Sequence, residues 1–285
     1  MKTREYMIGP KHLTVELGED NMGILSKAKL FILDLDGTIY LSSRLIQGAA
    51  DFLRELEEKG RDYIFLTNNS SRSAEAYVKK LGEMGLLVPE EKIMTSGKAT
   101  TLYLKEIKPH ARVFLLGTPS LEEEFRHAGF QLITTREEKP DYVVFGFDQT
   151  LTYEKIRMAC DFILEGAGYI ATHPDINCPL ADGRFMIDTG AFLKAIEASI
   201  GRVPDVIIGK PNPYIFQIIR KKTGHELEEL CMVGDRLYTD IRGARDMGIL
   251  SVLVLSGETD LAMAEASPIK ADVVLPSVAD IPDLL

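Results

Sequence analysis

The sequence predicts an α/β protein, a doubly wound, Rossmann-like parallel sheet with a smaller α/β module inserted into it. Three observations carry that expectation. From Leu30 onward short apolar runs alternate with amphipathic segments, the pattern of βαβ units. Four of the apolar runs stop at polar residues, as strands of an open sheet do where a ligand binds. At 285 residues the chain also exceeds the usual size of one domain.

Taken in order, residues 1–28 carry mixed charge with Gly9, Pro10, Gly18 and Gly23, and are expected to form an irregular or partly helical extension. The run 30–33 is a strand that ends at Asp34. The run 63–66 ends at Thr67-Asn68-Asn69 and is followed by a helix over 73–84, closed by Gly85. The run 206–208 ends at Gly209-Lys210, with a helix over 213–222 opened by Pro213. The run 230–233 ends at Gly234-Asp235, with a helix over 239–247 closed by Gly248. The polar ends of these four strands are expected to converge on one site, where helix starts favour anions.

Between the second and third strands lies another alternating set. It has runs at 113–116, 142–145 and 169–172 and helices near 121–128 and 153–165. The division this predicts is a core of residues 29–97 and 189–285 with an inserted module of 98–188. The two crossings are hinge candidates, and closure there would exclude water.

Composition narrows the function classes. Apolar residues at 45% and charged residues at 27% are ordinary globular values. A net charge of -10 argues against broad nucleic-acid binding, and no aromatic-basic interleaving suggests it. Cys160, Cys178 and Cys231 are odd in number and lack metal-type spacing, which suits a reducing cytosol rather than a disulfide scaffold or a zinc site. No apolar run reaches the length of a membrane span, and the first residues lack the apolar core of a signal peptide. A soluble, cytoplasmic protein acting on small molecules is expected, with no membrane partner.

The most informative stretch is Phe31-Ile32-Leu33-Asp34-Leu35-Asp36-Gly37-Thr38-Ile39-Tyr40. Period-two geometry places Asp34 and Asp36 on one side of the strand, and Gly37 permits an abrupt turn beyond them. Two close carboxylates repel unless a hard cation or a lysine offsets them. The same pattern opens calcium loops, but such a loop needs Glu twelve positions from Asp34, and Leu45 stands there. Taken singly, Thr67 reads as a helix cap, Lys210 as a solvated lysine and Asp235 as a turn residue. Four such motifs in order, each ending an apolar strand, argue for a shared site.

With those four strand ends assembled, the chain resembles the haloacid dehalogenase superfamily, in its NagD-type, p-nitrophenyl-phosphatase-like branch. The motifs that carry the resemblance stand as Asp34-Leu35-Asp36-Gly37-Thr38, Thr67-Asn68-Asn69, Gly209-Lys210-Pro211 and Gly234-Asp235-Arg236-Leu237-Tyr238-Thr239-Asp240, with Tyr40 following the first. The resemblance spans about residues 30–275 and implies a catalytic core with an inserted cap. It further implies a magnesium-dependent phosphomonoester hydrolase acting on a small phosphorylated metabolite through an aspartyl-phosphate. Asp34 would be the nucleophile and Asp36 the general acid and then base. Thr67, Asn68, Asn69 and Lys210 would hold the phosphoryl group, and Lys210 would also position the nucleophile. Asp34, Asp235 and the backbone carbonyl of Asp36 would hold Mg2+, with Asp240 in support.

In the inserted module, Ala171-Thr172-His173-Pro174-Asp175 resembles the subfamily's pattern, with His173 where Asn is common. His173 and Asp175 are candidate substrate contacts. Asp188-Thr189-Gly190 stands where a Pro-Gly-x-Gly return is usual, so a different chain path is expected there. Two rival functions share the motifs: a phosphomutase or phosphotransferase passing the aspartyl-phosphate to a second hydroxyl, and a sensor that binds without turnover. An exposed cap sheet edge could pair with a second copy, giving a homo-oligomer.

Overall fold

Strand 30–33 forms because four consecutive apolar side chains can be buried on both faces only inside a covered parallel sheet. Leu30–Leu33 is buried throughout, with Leu230–Gly234 on one side and Asp62–Thr67 on the other, both parallel to it. Leu250–Val254 and Val273–Leu275 extend the sheet beyond Leu230–Gly234, again in parallel. The structure, a computed structural model, describes residues 2–8, 11–17, 23–179 and 184–285. Its contacts divide the chain into two compact units, Met1–Leu66 with Leu81–Lys92 and Arg220–Leu285, and Thr67–Lys80 with Ile93–Ile219.

In the first unit the strand register is set at both ends. Lys29 N donates to Glu229 O at 2.8 Å just ahead of the two central strands, and Lys29 Nζ lies 2.6 Å from Glu229 Oε1. At the other end Leu33 stands opposite Val233, and Asp34 N donates to Val233 O at 2.9 Å. Fixing the starts level therefore fixes the ends level, so Asp34 follows its strand opposite Gly234 and Asp235 comes one residue beyond. Beyond Asp235 the helix expected over 239–247 begins as a π-helical turn at Leu237–Ile241 and becomes α-helical over Arg242–Met247.

The second unit has its own parallel sheet, in the order Val206–Ile207, Gly168–Ala171, Tyr142–Phe145, Arg112–Leu116, Gln131–Leu132. The strand expected over 206–208 thus pairs with Gly168–Ala171 at the edge of this sheet, not with the strand that ends at Asp34. The reason is legible afterwards: Val206 and Ile207 are only half-buried, as suits an edge strand, whereas the central runs 113–116, 142–145 and 169–171 are buried apart from Tyr142. The module's core gathers Phe114, Phe145, Phe162, Tyr169 and Leu193, with Phe114 and Phe162 in edge-to-face contact at 5.1 Å.

The N-terminal expectation is corrected. Lys2–Ile8 and Lys11–Leu17 pair as an antiparallel hairpin, Lys2 opposite Leu17 and Ile8 opposite Lys11. Thr3, Tyr6, Thr14 and Val15 supply strand propensity, and the Gly9-Pro10 pair that argued for irregularity falls between the strands in sequence. Gly9, Pro10 and Gly18 lie outside the described residues. Gly23 precedes a short 3-10 turn at Ile24–Lys27.

Two outcomes test this account. Phe162→Ala should lower the unfolding free energy by about 3–5 kcal/mol, the usual loss for a deleted core phenyl, measured by urea denaturation. Glu229 is held down to about 2 from its ordinary 4.5, first by Lys29 and then by the Glu226 amide. A folded-state value below the unfolded one stabilises above about 4.5, and that contribution is lost as pH falls toward 2. Thermal melts across that window should therefore show a shallower decline for Glu229→Gln than for the parent.

Candidate active site

The first unit brings Asp34, Asp235 and Asp240 together. One carboxylate oxygen from each lies within 4.8 Å of the others, and all three residues are buried. Asp34 arrives from the end of Leu30–Leu33, Asp235 from the end of Leu230–Gly234, and Asp240 from the π-helical turn that follows. Each of the last two is oriented by a backbone amide: Glu258 N donates to Asp235 Oδ2 at 2.6 Å, and Arg236 N to Asp240 Oδ2 at 3.1 Å. Three buried oxygen anions with no nitrogen or sulfur donor among them are the ligand set of a hard divalent cation. The residues present therefore fit a magnesium-type ion.

Glycine makes this crowding possible. Gly37 has φ +89, and a Cβ there would lie 2.3 Å from Asp235 Oδ2; one on Gly257 would lie 2.0 Å from the same atom. Both positions are bare because the Asp235 carboxylate occupies the space a side chain would fill. Ser256 Oγ donates to Gly37 O at 2.7 Å, tying the two glycine segments together.

Arg236 supplies a positive charge beside the cluster. Burial would lower its pKa, but Tyr238 and the carboxylates of Asp235, Asp34 and Glu258 outweigh burial and raise it. Its Nε is 3.1 Å from Glu258 Oε2, and Tyr238 OH donates to Glu258 at 3.2 Å. The guanidinium is thus held cationic against the carboxylates it offsets.

Asp36 takes a different path from Asp34. The strand stops at Leu33, so period-two alternation does not continue: Asp34 is buried and Asp36 exposed. The Asp36 side chain is not in the carboxylate cluster. Tyr40, itself fully buried, donates its hydroxyl to Asp36 Oδ2 at 2.8 Å, which fixes the carboxyl of a turn residue.

The second unit assembles the other candidates. Thr67 Oγ1 accepts from Asn69 N at 3.1 Å, and Asn69 Oδ1 from Ser71 N at 2.9 Å. Asn68 grips the main chain of Lys210 twice: its Oδ1 accepts from Lys210 N at 2.8 Å, and its Nδ2 donates to Lys210 O at 2.9 Å. The same Nδ2 donates to Asp175 Oδ1 at 3.0 Å. Lys210 is buried, and its bond to Pro211 is cis. His173, expected to face substrate, is fully buried and closed in by Thr172, Ser96 and Asp188. The ring has polar partners on both nitrogens inside the unit.

Sequence reasoning missed Arg236, Ser256, Gly257 and Glu258. The last three follow Leu250–Val254, a fifth apolar strand that also stops at polar residues, so the rule applied to four strands would have found them. Arg236 was quoted within a motif but given no role, because only burial beside three carboxylates reveals one.

The comparisons with known proteins agree with this geometry. Residues 31–131 match the family model described as haloacid dehalogenase-like hydrolase, and residues 207–281 match a second described as HAD-hydrolase-like. An acid sugar phosphatase of Staphylococcus aureus is 35% identical over 237 residues, 83% of this chain and 90% of that protein. The chain belongs to the haloacid dehalogenase-like hydrolases. Within them it falls in the NagD-type, p-nitrophenyl-phosphatase-like branch, and it is an enzyme of the phosphoric monoester hydrolase class. The crystal structure of a 4-nitrophenylphosphatase from Thermotoga maritima superposes with a TM-score of 0.88 at 45% identity, covering 92% of this chain and 99% of that one. A glycerol phosphate phosphatase from Mycobacterium tuberculosis in complex with magnesium gives 0.80 at 28% identity, covering 91% and 78%.

The Gly257 clearance yields a test of this haloacid dehalogenase-like site. Gly257→Ala should push Asp235 from its place and raise the divalent-cation concentration needed for half-maximal turnover by about tenfold. A cation titration superimposable on the parent's would show that Asp235 does not depend on that gap.

Proposed function

We propose that this protein is a magnesium-dependent phosphatase of small phosphorylated metabolites that works through an aspartyl-phosphate on Asp34. The observation that carries the reading is the buried meeting of Asp34 with Asp235 and Asp240 at the ends of parallel strands. The named relatives act in the same direction, being an acid sugar phosphatase, a 4-nitrophenylphosphatase and a glycerol phosphate phosphatase. Sugar or polyol phosphates are therefore the substrate class we favour, with p-nitrophenyl phosphate as an artificial substrate.

In this proposal an Asp34 carboxylate oxygen attacks phosphorus and the ester oxygen departs with a proton from Asp36. Water then attacks the phosphorus of the acyl-phosphate, gives its proton back to Asp36, and leaves inorganic phosphate with Asp34 regenerated. Thr67, the Asn68 and Asn69 segment and Lys210 would hold the phosphoryl oxygens and offset their charge. Asp34, Asp235 and the main-chain carbonyl of Asp36 would hold Mg2+, with Asp240 beside them; when bound, the ion lessens the repulsion between an anionic nucleophile and an anionic phosphate. Asp36 suits its role because its carboxyl is exposed yet oriented by Tyr40.

The catalytic core would draw on residues 29–97 and 189–285 and the cap on 98–188, with Thr189–Ile200 and Val206–Ile207 packed in the second unit against the cap's own elements. A cytoplasmic setting fits three free cysteines, and among the described residues no helix is long and apolar enough to cross a membrane. A second copy would pair along an edge of the second sheet, at Val206–Ile207 or Gln131–Leu132.

Phosphate release from a panel of phosphomonoesters, with magnesium and with chelator, tests the reading directly. Turnover should vanish with chelator and return with added Mg2+. Asp34→Asn should lose about three orders of magnitude or more in kcat with its melting curve retained, and acid-quenched parent enzyme should carry an acyl-phosphate on Asp34. Parent-like turnover in Asp34→Asn would remove the nucleophile from the scheme.

A further inference from the structure

Within the second unit runs a buried polar network that no step of the proposed chemistry uses. His173 sits at its centre, fully enclosed. Its Nε2 lies 2.9 Å from Asp188 Oδ1, and its Nδ1 lies 2.8 Å from Thr172 Oγ1. One direction of hydrogen bonding satisfies every member when the ring is neutral with its proton on Nε2. Phe147 N donates to Ser70 Oγ at 2.9 Å, Ser70 to Thr172 Oγ1 at 3.0 Å, Thr172 to His173 Nδ1, and His173 Nε2 to Asp188. Thr189 N donates to the same Asp188 oxygen at 2.6 Å. Asp188 therefore receives the ring and caps the helix Thr189–Ile200 with one atom.

This network meets the Asn68 grip on Lys210 at three places. Ser96 Oγ donates to Asn68 O and stands 3.4 Å from His173 Nδ1. Gly209 N donates to Thr172 O at 2.8 Å; a Cβ on Gly209 would lie 2.6 Å from Asn68 Oδ1 and 2.8 Å from His173 Cβ, so the residue before Lys210 is wedged between them. Asp175 accepts from Asn68 Nδ2 at 3.0 Å through its side chain and from Gly190 N at 2.7 Å through its carbonyl. Residues 172–175 thus support both Asn68 and Gly209-Lys210, and the His173 to Asp188 contact ties those four residues to the start of a helix.

We propose that His173 and Asp188 are positioning residues that hold the Asn68 and Lys210 pair in register for phosphoryl transfer. The two departures from the subfamily's pattern, His173 for Asn and Asp188 in place of the usual return, are then one device, since each supplies the other's partner. The inference rests on the reading that Lys210 and Asn68 handle the phosphoryl group. It assigns His173 no contact with substrate.

The test is p-nitrophenyl phosphate turnover by the full chain with Mg2+. His173→Ala should lower kcat by about 10- to 100-fold, the scale of loss when a group that places reacting atoms is released. His173→Gln, whose amide nitrogen can still donate to Asp188, should recover most of that loss. Asp188→Ser keeps a helix cap but is too short to reach the ring, and should fall as far as His173→Ala; it also decides the matter if the alanine variant does not fold. In a Lys210→Ala background the His173→Ala change should cost clearly less than it does in the parent, because only Asn68 is then left to position. Parent-like kcat in both His173→Ala and Asp188→Ser, or an undiminished further loss on top of Lys210→Ala, would overturn the inference. Parent-like turnover in Lys210→Ala would instead remove the reading of Lys210, and the inference with it.

Discussion

Three carboxylates buried within 4.8 Å of one another repel, and the first unit is organised around containing that repulsion. Like charges at this separation cannot all stay ionised unless positive charge and donors surround them. The answers come from different levels of structure. Parallel pairing sets Asp34 level with the end of its neighbour strand. Bare backbone at Gly37 and Gly257 gives Asp235 room, and amides from Arg236 and Glu258 fix the carboxylate orientations. The Arg236 guanidinium contributes the fixed cation. Such an arrangement is costly without an added cation, and an expensive constellation retained in a core marks function rather than packing.

Much of this was legible in the sequence. The runs ending at Asp34, Thr67 and Asp235 are strands because buried parallel strands need unbroken apolar stretches, and that requirement leaves a plain imprint. Helix bounds were legible where proline or glycine punctuates them, as at Pro213 and Gly248. The hairpin of residues 2–17 was obscured because Gly9 and Pro10 are as compatible with a hairpin connection as with an irregular chain. Sheet membership of Val206–Ile207 was also hidden: a two-residue edge strand carries no label for its partner.

The site was legible as chemistry and obscure as geometry. Residue types announced Asp34, Asp235 and Lys210, since carboxylates and a lysine at strand ends have few bland explanations when they recur in order. What the sequence could not carry was the turn between Asp34 and Asp36, which sends one carboxyl inward and leaves the other at the surface beside Tyr40. Nor could it show that His173 turns inward, because an imidazole suits a substrate contact and a buried hydrogen-bond relay equally well. In the structure the ring pairs with Asp188 across fifteen residues.

The Asn68 grip on residue 210 has a consequence for how such a protein can change. Asn68 recognises only the amide hydrogen and carbonyl oxygen of that residue, groups that every residue except proline provides. These two bonds are therefore blind to which side chain stands there. On the proposed reading of Lys210, replacing the lysine would alter the charge offered to a ligand while leaving these two main-chain bonds in place, so a single codon change would turn this hydrolase into a module that binds and does not turn over. The fold would give no sign of the difference.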